Sequence, residues 1–131
     1  MDKNQKLEYI WQAIKKVYPN RKLVFNDGSP DSLVMIIGEA PGADEEKQGK
    51  PFVGRAGQLL DRIIAGAFVG LDLTWAFTNL VACFPRKEKE AGVNEPPKEA
   101  IAACQPRLRE FVELCRPRLI VTVGKLAEKY T

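Results

Sequence analysis

The sequence contains no histidine. Proton transfer near neutral pH would therefore fall to carboxylates, lysine, cysteine, water or groups on a substrate. Cysteine is scarce: three residues, at 83, 104 and 115, with no close pair. The first residues, MDKNQKLEY, carry no apolar core of a secretory signal. An odd, sparse cysteine set behind such a start reads as intracellular thiols in a cytoplasmic protein, not as a disulfide framework. No stretch nears the roughly 18 consecutive apolar residues of a membrane helix. The chain has no repeat and no low-complexity segment, and it lacks the GxGxxG and Walker spacings of dinucleotide and ATP loops.

What is present suits one globular domain over residues 1–131, with 45% apolar residues to build a core and 28% charged residues to solvate it. The net charge of +3 permits a nucleic-acid partner without establishing one. Basic groups fall at segment ends, in 86–89 (RKEK), 107–109 (RLR) and 116–118 (RPR), where a phosphate backbone could be met. Acidic neighbours at 88, 90, 110 and 113 weaken that reading.

The chain is organised around residues 33–60. A nearly continuous apolar run, Leu33–Ile37, fits a central parallel strand buried on both faces. It breaks at Gly38, and a carboxylate (Glu39), Pro41 and Gly42 follow at once. Residues 43–50 (ADEEKQGK) are too polar to bury and read as a solvent-facing loop. A helix is expected over about 56–68 with Leu59, Leu60, Ile63, Ile64 and Ala67 inward. Ahead of this block, Leu7, Ile10, Trp11, Ile14 and Val17 give a helix at 5–17, Lys22–Asn26 a short extended piece, and DGSPD at 27–31 a turn.

Beyond it, Trp75–Val81 reads as a second strand and residues 84–97 as a long irregular connection bordering the site. A helix over about 97–115 buries Ile101, Cys104, Leu108, Phe111, Val112 and Cys115, with Pro97 in its first turn and Pro106 implying a kink or two joined helices. Residues 118–123 make a third strand, and Gly124 opens a helix that stops after barely two turns. The order is that of an α/β layered domain with a parallel sheet and right-handed crossovers. Its abrupt stop implies that the last elements of such a domain are missing or not encoded here.

Several residues carry two readings each. Glu39, held on rigid backbone after a strand, either stabilises positive charge and orients water or caps the loop. Phe52 is a stacking wall for a base or a plug that buries its own loop. Asn79, near a strand end, offers one donor and one acceptor to a pyrimidine edge or caps its own turn. Cys83, Cys104 and Cys115 could approach a metal, but tetrahedral and iron–sulfur sites take four strong ligands, and Cys104 and Cys115 fall on the apolar helix stripe as buried thiols.

Taken in order, GEAPGADEEKQGKPFVGRAGQLLDRII, TNLVACFPR, PPKEAIAACQPRL and RPRLIVTVGK resemble the uracil-DNA glycosylases of the iron–sulfur, thermophile-type class (family 4), over about Asp27 to Lys125. The first block occurs also in the related glycosylase-like domain associated with certain phage DNA polymerases. The resemblance implies a three-layer α/β/α sandwich around a four-stranded parallel sheet. It implies a catalytic Glu39 that positions water or stabilises the sugar cation, with Ala40, Pro41 and Gly42 shaping the loop near a flipped nucleotide. Glu45 matches a second acidic residue of the motif. Phe52 would stack on uracil, and Asn79 would hydrogen-bond its Watson–Crick edge. The implied partner is uracil-containing DNA, and the implied reaction is hydrolysis of the N-glycosidic bond.

Two departures stand out. Family members carry a Cys-x-x-Cys pair before the first strand, which with the equivalents of Cys83 and Cys104 completes a four-iron–four-sulfur cluster. Here neither N-terminal cysteine is present, so no cofactor is expected unless ligands come from elsewhere. The family's later His-Pro motif is also absent. Three functions therefore remain open: a minimal uracil-DNA glycosylase, a glycosylase-fold protein that binds DNA, uracil or a protein partner without excision, and a hydrolase of another glycosidic bond. Self-association or a protein partner would cover the open side.

Overall fold

The computed structural model describes residues 2–82, 96 and 98–131. Cys83, the basic run at 86–89, the connection at 84–95 and Pro97 lie outside the described residues. Helix α1 (Lys3–Val17) opens with a reciprocal cap: Gln5 N donates to Asp2 Oδ1 at 2.8 Å and Asp2 N to Gln5 Oε1 at 2.9 Å. Strand β1 is only Asp27–Gly28, and β2 is Val34–Gly38. Helices α2 (Ala43–Gln48) and α3 (Arg55–Ala67) lead to β3 (Trp75–Asn79). Then come α4 (Lys98–Cys115), β4 (Leu119–Thr122) and α5 (Lys125–Tyr130). Among the described residues no helix is long and apolar enough to cross a membrane.

The sheet order is β1-β3-β2-β4. β2 lies between β3 and β4 and is parallel to both, with Ile36 level with Phe77 on one side and Val121 on the other. The fourth strand departs from the all-parallel sheet that the resemblance implied. β1 runs antiparallel, Asp27 opposite Phe77 and Gly28 opposite Ala76. The outer edge of β3 offers unpaired backbone groups, and the first two residues of the expected turn satisfy some of them.

Alternation along the strands divides the core between two faces. Met35, Ile37 and Ala76 pack with Leu7 of α1, Leu108, Phe111 and Cys115 of α4, and Ala127 of α5. Those three helices form one outer layer. Val34 and Ile36 point the other way and are also buried. Phe68 sits edge-on to Trp75 at 5.3 Å, and Phe52 is tilted against Phe77 at 5.7 Å. Each fully buried aliphatic or aromatic side chain of this set contributes roughly 1.5–3 kcal/mol. The result is the expected α/β/α layering.

Two local expectations change, and for Pro106 the alternative of two joined helices drops out. Residues 43–48 are a helix, not a loop. Its first turn carries Asp44, Glu45 and Glu46 against the helix dipole, and Gly49 ends it in a left-handed conformation at φ 75°. Pro106 is accommodated inside one 18-residue helix that is anchored by buried residues on both sides of it. On α3, Leu59 and Ile63 are more than half exposed, at 55% and 56%, Ala67 is exposed, and only Gly57 is buried.

Candidate active site

The two crossovers run in opposite directions along the sheet, and right-handed connections then fall on opposite faces: α3 links β2 to β3, and α4 links β3 to β4. In open α/β sheets the crevice outside the carboxyl ends of such strands is where ligands bind. Here that crevice is an open cavity of ≈ 440 Å³. Glu39, Ala40, Gly42, Glu45, Phe52 and Asn79 line it. Pro41 is fully buried beneath the loop, outside the lining.

Gly38, the last residue of β2, sets the floor. A Cβ there would lie 2.6 Å from Asn79 Oδ1 and 2.7 Å from Phe52 Cζ. Both groups therefore rest against a bare Cα, and only glycine admits them together. Asn79 is only 4% exposed. Its strand end is locked to the β2 loop by Leu80 N donating to Gly38 O at 2.9 Å and Val81 N to Glu39 O at 3.2 Å. Phe52 adopts φ 57°, a left-handed conformation that costs a non-glycine residue on the order of 1–3 kcal/mol.

Glu45 compensates that strain. One carboxylate oxygen accepts Gly42 N at 2.9 Å, and the other accepts Val53 N at 3.0 Å and Gly54 N at 2.6 Å. A single anion thus ties the loop after β2 to the segment that carries Phe52. Hydrogen bonds to a charged acceptor are the strong ones. The second acidic residue of the motif is a clamp between the two walls of the cavity.

Glu39 is held by an element that sequence reasoning left out of the site. Leu126 N, in the first turn of α5, donates to Glu39 Oε2 at 3.1 Å. Gly124 lies behind the carboxylate at φ 100°, and a Cβ there would overlap Glu39 Oε2. Among the described residues no hydrogen bond engages Oε1. Val123 and Gly124, and Arg55, Ala56 and Gly57 at the start of α3, also line the cavity. Their signal was present: VTVGK at 121–125 repeats the pattern of an apolar strand ending on glycine that marks Gly38.

The cysteines do not assemble a four-thiolate site. The chain holds three. Cys104 is fully buried with Ile14, Val81 and Ile101, whereas Cys115 packs with Leu7, Met35 and Phe111 in a separate cluster. Among the described residues no three His, Cys, Asp or Glu side chains come together as a metal site. The described residues therefore do not fit an iron–sulfur cluster.

Arg107, read from the sequence as a candidate phosphate contact, is 5% exposed inside the fold. It sits one helical turn after Cys104, on the buried stripe of α4. Burial lowers its pKa from the ordinary value, with Cys104 opposing the shift. A guanidinium remains protonated regardless.

A family model described as the uracil DNA glycosylase superfamily matches residues 25–131. The chain belongs to the uracil-DNA glycosylase superfamily. Curated members named Type-4 uracil-DNA glycosylase are similar to it. The protein of Sulfurisphaera tokodaii is 36% identical over 122 residues, covering 92% of this chain and 50% of that one. That of Saccharolobus solfataricus is 38% identical over 122 residues, at 92% and 51% coverage. That of Thermotoga maritima is 32% identical over 127 residues, at 92% and 63%. The chain thus spans about half the length of the first two relatives.

Proposed function

We propose that this superfamily member hydrolyses the N-glycosidic bond of deoxyuridine in DNA, releasing uracil and leaving an abasic site. The observation that carries the reading is the convergence of the Asn79 amide and the Phe52 ring over Gly38, beside Glu39. Extruding a base from the stack requires a flat wall and a fixed polar group to receive it. Phe52 supplies the wall. Asn79 supplies a donor and an acceptor, the complement of the uracil edge, which presents a carbonyl where cytosine presents an amino group. As the bond breaks, negative charge leaves with uracil and positive charge grows on the deoxyribose. Glu39 faces that side, and a carboxylate oriented in advance stabilises such charge without reorganising. Its Oε1 is the oxygen left to orient the attacking water.

The names of the Type-4 relatives support this substrate class. A second reading, in which the fold binds uracil-containing DNA without excision, draws on the bond from Leu126 to Glu39, which gives the carboxylate a capping role as well.

The test is incubation with uracil-containing single- and double-stranded oligonucleotides followed by alkaline cleavage. Wild-type protein is expected to give strand breaks at uracil, Glu39→Ala to lower the rate by about 100-fold or more, and Asn79→Ala to lower it with loss of base preference. Retained binding with no abasic product at high protein concentration would establish the second reading instead.

A further inference from the structure

The end of β3 contains a buried cation that the proposed chemistry does not use. Arg107 Nη1 donates to Thr78 Oγ1 at 3.0 Å. Its Nη2 donates to the carbonyl oxygen of Asn79 and, at 3.4 Å, to that of Leu80. Nε has no hydrogen-bond partner among the described residues. The acceptors are thus one hydroxyl and two neutral carbonyls, all on three consecutive residues. Burying a guanidinium against neutral oxygens is costly, and an apolar side chain would suit the surrounding stripe of Cys104, Leu108 and Phe111 better.

The three acceptors show what the charge does. They are the residue before Asn79, Asn79 itself and the residue after it. A planar, forked donor set fixes the peptide planes on which it closes. The two strand-end bonds to Gly38 O and Glu39 O hold this backbone from the other side. Clamped between them, the Asn79 Cα–Cβ bond has a single direction, over Gly38 and toward Phe52.

We propose that Arg107 is a positioning residue that fixes the Asn79 amide for reading a pyrimidine base. The proposal rests on the role given to Asn79 above. Arg107 itself touches no substrate. It sets the acceptor and donor of Asn79 in place before a base arrives, so that binding does not have to order them.

The experiment uses the full chain, ¹⁵N-labelled, as wild type, Arg107→Lys, Arg107→Met and Thr78→Val. Two quantities are read: the order of the Asn79 side-chain amide by heteronuclear relaxation, and the ratio of affinities for a uracil- and a thymine-containing oligonucleotide. Both arginine variants are expected to mobilise the Asn79 amide and to reduce the uracil preference at least tenfold. They should cause no further loss when combined with Asn79→Ala. Thr78→Val, which removes one acceptor, should give a smaller loss in the same direction. A purely structural arginine would lower the melting temperature while leaving amide order and uracil preference unchanged in the folded variants, and that result overturns the proposal. Should Arg107→Met fail to fold, Arg107→Lys and Thr78→Val decide. If wild type shows no uracil preference, the functional reading falls, while the amide order still judges Arg107.

Discussion

Three side chains meet where β2 ends, and each is oriented by a different kind of force. Phe52 is held in a strained backbone conformation, Asn79 by peptide hydrogen bonds, and Glu39 by a helix amide. Gly38 is the common floor, so Gly38→Ala inserts a methyl where the Asn79 amide and the Phe52 ring rest. The atoms it meets are side-chain ends rather than backbone, and the substitution should therefore cost more in ligand binding than in stability. We expect uracil preference in oligonucleotide binding to fall at least tenfold while the thermal melt shifts only modestly. Glu45→Gln retains the volume but replaces an acceptor oxygen by a donor. It should break part of the clamp and destabilise the protein by about 1–3 kcal/mol, measured by urea unfolding, with faster proteolysis between residues 49 and 54.

At the scale of elements, α4 ties the layers together through buried groups, and Cys115 gives that packing a pH signature. Burial pushes its thiol up to about 11, with Lys3 opposing and Asp31 adding to the shift. The unfolded thiol releases its proton near pH 9, before the folded one. Stability from this group is therefore complete below pH 9 and is lost as pH rises toward 11, by on the order of 1–2 kcal/mol. Cys115→Ala should lower stability throughout yet show a shallower decline over that window in urea titrations. The same elements show what a sequence can and cannot disclose. β2 and β3 were legible because a buried strand is written as an apolar run, and the site motif because glycine, carboxylate and proline follow it at once. α2 was hidden because a short helix stabilised by its first-turn acids has no apolar period. The inward face of α3 was overread, since periodicity says which residues share a side and not whether anything lies opposite. Arg107 was misread because a charge at a helical position ordinarily seeks water. Its spacing from Cys104, Leu108 and Phe111 was the clue that it does not.

For the molecule as a whole, the net charge of +3 now has fewer surface sites to occupy, because Arg107 is internal. Affinity for duplex DNA should fall with salt by about 0.9 logarithmic units per neutralised phosphate and per tenfold increase in salt. Arg55, exposed at the cavity rim, is placed to supply one such contact. Arg55→Ala should reduce the slope of that dependence by about one, whereas Arg107→Met should leave it unchanged. Fluorescence anisotropy across a salt series measures both. Iron and sulfide analysis of anaerobically purified protein is expected to find less than one cluster per chain, and a brown protein with full occupancy would reveal ligands contributed by Cys115, another group or a second chain.

The bond from α5 to Glu39 also makes the protein report on itself. An amide proton that points at a carboxylate senses the position of that carboxylate, so the Leu126 resonance should move when an oligonucleotide draws the Glu39 side chain away from α5, and should lose that movement in Glu39→Ala. One peak in a two-dimensional spectrum would then follow this carboxylate through oligonucleotide binding, with no label attached to the cavity.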